Sequence, residues 1–71
     1  MRENREQIRL MLDRNALTQV WLINQLEGQG VDTDKTEMSS ILRGTRKGPK
    51  AELIMDKSLE ILEVYESRMR V

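Results

Sequence analysis

Apolar positions recur along this chain at intervals of three and four, the period of helices that bury one face. In residues 3–14, Ile8, Met11 and Leu12 keep that spacing while Arg2, Arg5, Glu6 and Arg9 hold the other side in water, which predicts a first helix ending near Asn15. A second helix is predicted behind Thr18, a good N-cap, with Leu17 placed to pack on Leu22 as a hydrophobic staple. Leu22, Ile23 and Leu26 continue its inner face. The run EGQG, residues 27–30, ends it, because its two glycines accept the left-handed backbone of a helix stop.

The third pattern begins at Asp34, which forms with Glu37 an Asp-x-x-Glu variant of the capping box; Thr33 is the alternative cap, one residue earlier. Met38, Ile41 and Leu42 make its inward stripe, Lys35, Thr36, Ser39, Ser40 and Arg43 point elsewhere, and Gly44 closes it. A fourth helix starts with Pro49 at its first position, where the missing N–H costs nothing, and runs about 20 residues, or about 30 Å. Ala51, Ile54, Met55, Leu59, Ile61, Leu62, Tyr65 and Met69 share one broad stripe of it.

Composition agrees with helices throughout. Leu, Glu, Arg, Met, Gln and Ile are plentiful, Pro49 is the single proline, and Trp21 and Tyr65 are the only aromatics. Alternating β-branched runs, repeats and low-complexity segments are missing. The expected fold is therefore all-α, a small bundle of about four helices with a long C-terminal helix over residues 49–69. At 71 residues there is room for one small core, so a single domain spanning 1–71 is expected. The chain has neither Cys nor His, which removes a disulfide framework, a thiolate zinc site and the commonest general base. No apolar run approaches the roughly 18 residues of a membrane span, and MRENREQIRL lacks the apolar core of a signal peptide. A soluble cytoplasmic protein without metal or cofactor is expected. Glu52, Asp56 and Glu60 repeat every fourth residue, but a solvated helix face explains them better than a metal or catalytic site does. With no nucleophile–base pair to assemble, the protein reads as a non-enzyme.

Charge changes the picture. The formal net charge is zero, yet the signs are segregated. Up to Asp34, acids outnumber bases; from Lys35 to Lys50, the bases Lys35, Arg43, Arg46, Lys47 and Lys50 face only Glu37; beyond, acids dominate again. Such a cationic middle between acidic flanks is the footprint of a focused phosphate-binding edge. A charge run by itself is ordinary solvated surface. Here its order matters, because a capped helix with small polar residues outside is followed by a glycine stop and then Thr45, Arg46 and Lys47.

These runs resemble a known family. LTQVWLINQL looks like the first half of the helix-turn-helix of phage Cro and repressor proteins, also called xenobiotic-response-element-type regulators, and MSSILRGTRKGP resembles the second half. With Ile8 and Met11, the likeness covers residues 8–49. It implies a lambda-repressor-like bundle that binds double-stranded DNA. By the same resemblance Gln19 hydrogen-bonds a phosphate at a helix N-terminus, and Lys35, Thr36 and Ser40 read base edges in the major groove. Arg43, Thr45, Arg46 and Lys47 would grip the backbone.

The chain departs from the family in two places. EGQGVDT lengthens a turn that is normally tight by roughly five residues, and Ile23 stands where the family usually has Ala. A longer loop lets the helices separate to house Ile23, with Val31 filling the gap, and sets the recognition helix at an unusual angle. Trp21 either covers a loop, such as the long one, or contacts a partner. Met11, Met38 and Met55 are expected in the core.

Leu53 and Val64, three turns apart, lie nearly opposite the main stripe of the last helix. Together with Leu59 they are the candidate interface of a two-fold homodimer, which would set two recognition helices about 34 Å apart on a palindromic site. Two classes of function follow: a sequence-specific DNA-binding regulator of a phage or mobile element, or a helix-turn-helix-derived module that binds another regulatory protein as an antirepressor or inhibitor.

Overall fold

The structure is a computed structural model and describes residues 4–69; Glu3, where the pattern starts the first helix, and Arg2 on its wet side lie outside the described residues. Four helices follow in order: α1 (Asn4–Arg14), α2 (Gln19–Gly28), α3 (Lys35–Arg43) and α4 (Pro49–Met69). Among the described residues there is no strand. The fold is a small all-α bundle with a long C-terminal helix. Helix α1 packs on α3 and α4, and α2 does the same from another side.

Helix starts follow the sequence closely. Thr18 sits in extended backbone and its hydroxyl oxygen accepts the Trp21 N–H at 3.1 Å. Asp34 does likewise for Glu37 N–H at 2.7 Å. The reciprocal half of the capping box differs. Rather than returning to Asp34, the Glu37 carboxylate accepts the Thr33 hydroxyl at 2.7 Å, so Thr33 braces the carboxylate instead of capping the helix. At α4, the Gly48 carbonyl accepts the Glu52 N–H, leaving Pro49 as the first helical residue.

The three short helices stop in one way. Each has a left-handed residue just past its end, followed by a residue whose N–H reaches back five positions, the Schellman arrangement. In α2 the left-handed residue is Gly30, with Val31 N–H bonded to the Leu26 carbonyl; in α3 it is Gly44, with Thr45 N–H on the Ser40 carbonyl. In α1 it is Ala16 (φ 56°), with Leu17 N–H on Leu12 at 2.8 Å. Leu17 and Val31, the residues after these stops, both pack on the core.

The core collects Ile8, Met11 and Leu12 from α1, Leu22 and Leu26 from α2, Met38, Ile41 and Leu42 from α3, and Ala51, Ile54, Ile61 and Leu62 from α4. Each fully buried Leu or Ile contributes about 1.5–3 kcal/mol. Ile23, Val31, Met55 and Leu59 pack against it half-buried. Met69, placed on the inward stripe by its spacing, is instead 67% exposed, because the stripe outruns the bundle at the end of α4. Trp21 packs against the core and lines a groove with Gln29 of the long loop. It meets Tyr65 of α4 edge-on, with ring centroids 5.3 Å apart and planes at 73°.

The far end of α4 is tied to the end of α1. Arg14 donates from Nε and Nη2 to the two oxygens of Glu66, both at 2.7 Å, and Asn15 Nδ2 donates to Glu66 and to the Met11 carbonyl. The hydrogen bond to Glu66 holds the Arg14 guanidinium above its ordinary pKa. Among the described residues no helix is long and apolar enough to cross a membrane.

Candidate functional site

The site is built on α3. Its buried stripe of Met38, Ile41 and Leu42 is clamped between α1 and α2, which fixes the opposite arc toward solvent. Lys35, Thr36 and Arg43 are exposed on that arc, and Ser39 and Ser40 are half-exposed. The positively charged end of the helix dipole therefore coincides with Lys35 and Thr36.

Gln19 opens α2 and leans onto α3. Its Oε1 accepts the Ser39 hydroxyl at 2.9 Å, which leaves the amide nitrogen as the donor it can present to a ligand. The lengthened turn is ordered from within: Val31 packs on the core, Thr33 bonds Glu37 and Asp34 caps α3.

Beyond Gly44 the basic segment folds back on α3. The Ser40 carbonyl accepts Thr45 N–H, Thr45 Oγ1–H and Arg46 N–H at 3.0, 3.1 and 3.3 Å. The Thr45 hydroxyl proton is thus spent on a helix end. Arg46 and Lys50 turn toward Glu37: Lys50 Nζ lies 3.3 Å from Oε1 and Arg46 Nη1 lies 3.8 Å from Oε2. The Thr33 hydrogen bond, then Lys50 and the Arg46 charge, hold the Glu37 carboxyl below its ordinary pKa, against an opposing effect of burial. Arg43 and Lys47 are exposed and form no ion pair among the described residues.

Arg5 belongs to this region, although its spacing marked it only as wet surface. A Cβ built on Gly44 (φ +84°) would lie 2.9 Å from Arg5 Cζ and 3.1 Å from Nε, so the guanidinium lies across the glycine at the end of α3. No sequence signal links positions 5 and 44. Proximity of a cation to the negative end of the α3 dipole gives the contact a physical reason.

Elsewhere, Leu53 and Val64 are each 46% exposed on the outer side of α4, whereas Leu59 turns toward the core. A shallow groove between α2 and α4 is lined by Trp21, Gln25, Gln29, Glu60, Val64 and Tyr65. Among the described residues no three acidic side chains are placed to hold a metal ion.

The chain matches no family model, no curated protein and no solved structure.

Proposed function

We propose that this protein is a sequence-specific double-stranded DNA-binding regulator, Cro-like or a repressor, of a phage or mobile element. It acts by occupying an operator and excluding polymerase, as a binding protein rather than an enzyme. The observation that carries the reading is the outward arc of α3, where Lys35 and Thr36 open the helix, Arg43 stands exposed at its end with Lys47 exposed in the loop beyond, neither in an ion pair among the described residues, and Gln19 leans in from α2. Within it, Lys35, Thr36 and Ser40 contact base edges. Gln19, Arg43 and Lys47 contact phosphates, Arg46 joins them when released from Glu37, and Thr45 contributes through its position rather than its committed hydroxyl proton.

A homodimer completes this reading. Leu53 and Val64 supply the exposed apolar positions on α4 through which two copies meet about a two-fold axis. Sedimentation as a monomer at high micromolar concentration, with and without DNA, would remove the dimer.

The test is binding to duplex fragments from around the protein's own gene, at two salt concentrations and with competitor present. Tight, salt-sensitive binding to one fragment is expected, and Arg43→Glu with Lys47→Glu is expected to abolish it. One observation favours a second reading, a module that binds another regulatory protein: Glu37 already occupies two of the cations, while Leu10, Val20, Leu53 and Val64 are exposed. In that case the charge reversal leaves function intact.

A further inference from the structure

The ion cluster around Glu37 sits where attraction for phosphate should be greatest, yet it consumes two of the five cations between Lys35 and Lys50. Its geometry is asymmetric. The Glu37 side chain is 15% exposed and fixed by Thr33, whereas those of Arg46 and Lys50 are 52% and 60% exposed. Resting on the DNA-binding reading above, we propose that Glu37 is a restraining residue that holds Arg46 and Lys50 back from DNA phosphates and so lowers the sequence-independent part of affinity.

The physical argument is competition. To meet a phosphate, either cation leaves a half-buried carboxylate short of a partner, or else brings the phosphate close to that carboxylate. Both cost free energy whatever the base sequence. At an operator, contacts from the outward arc of α3 offset that cost; on other DNA nothing does. Arg43 and Lys47, which form no ion pair among the described residues, supply the remaining sequence-independent attraction. Glu37 therefore lowers affinity for all DNA by the same factor, which leaves other DNA weakly bound while base contacts keep the operator bound.

Glu37→Gln tests this, because the amide oxygen can still accept the Thr33 hydroxyl while the charge is gone. The probes are a mixed-sequence duplex and the own-gene fragment bound by the unaltered protein. On the mixed-sequence duplex the variant is expected to bind about tenfold more tightly near 0.1 M salt, with a log–log salt slope steeper by about 0.9 for each cation released. Its affinity for the own-gene fragment rises by a similar factor, because the restraint acts whatever the base sequence. Lys50→Gln completes a cycle: in the natural background it leaves mixed-sequence binding within about twofold, and in the Glu37→Gln background it flattens the slope by about 0.9. A folded Glu37→Gln variant, checked by helicity and melting, that binds the mixed duplex no more tightly overturns the proposal. So does a Lys50→Gln effect of equal size in both backgrounds. If Glu37→Gln does not fold, Lys50→Gln alone decides, since a loss of about 0.9 in slope from the otherwise natural protein overturns the restraint. Failure of the unaltered protein to bind any duplex above background overturns the DNA-binding reading itself.

Discussion

At the scale of single residues, two positions carry local cost. Ala16 takes the left-handed place that Gly30 and Gly44 fill in the other two helix stops, and a Cβ there is disfavoured by about 1 kcal/mol. Ala16→Gly is expected to stabilise the protein by up to about 1 kcal/mol, less the entropy glycine adds to the unfolded chain, as read from urea unfolding. Ser58 is fully buried in α4 on the face of Ile54, Ile61 and Leu62, and among the described residues its hydroxyl has no hydrogen-bond partner. Ser58→Ala should raise stability by about 1 kcal/mol, because the lost desolvation penalty exceeds the small cavity left by one oxygen. An unchanged or lowered unfolding midpoint would show that the hydroxyl is satisfied in solution. Neither position could be identified from sequence. An alanine at a helix end carries no mark of a positive φ, and a serine flanked by apolar residues does not show whether its hydroxyl finds a partner.

At the scale of elements, local chemistry and tertiary contact divide the explanation. Thr18 and Asp34 act through side-chain hydrogen bonds to their own helices, and Gly30, Gly44 and Pro49 through their own backbone, so the boundaries they set were legible before any packing was known. Glu37 was not. Its spacing from Asp34 indicated a capping box, but Thr33, Arg46 and Lys50 outcompete the backbone N–H for the carboxylate. Asp34→Ala removes the α3 cap and should cost about 1 kcal/mol, which a thermal melt would detect. The lowered pKa of Glu37 has a defined consequence for acid stability. Its contribution is complete above the unfolded value of about 4.3 and is lost as pH falls through the lower folded value. Glu37→Gln should therefore be less stable than the natural protein at pH 6, with the two converging as pH falls through that lower folded value. Parallel curves across that range would mean that the carboxylate charge gives α3 no support.

For the whole molecule, the helix count, order and core residues could be read from periodicity because every helix buries a stripe against its neighbours. Long-range polar ties could not, since nothing in a one-dimensional pattern pairs position 5 with 44 or 14 with 66. The candidate site was legible in the same proportion: the exposure of Lys35, Thr36 and Arg43 follows from the helical arc and that of Lys47 from the loop beyond it, whereas the diversion of Arg46 and Lys50 follows from folding. The Arg14–Glu66 fork closes the end of the bundle, and Arg14 is mostly exposed, so screening keeps its effect modest. Arg14→Ala should lower the melting point slightly and more so in low salt than in high, with little effect on any ligand bound at α3. A loss of ligand binding in that variant would indicate coupling between the two ends of the bundle.

The edge-on contact between Trp21 and Tyr65 has an experimental consequence. They are the chain's only tryptophan and its only tyrosine, and the chain has no phenylalanine. Near-ultraviolet absorption and emission therefore report almost wholly on the seam between α2 and α4. Light absorbed by the phenol passes to the indole while the seam is closed. Its opening separates the two chromophores and red-shifts the remaining emission, so docking of the last helix can be timed optically without a label.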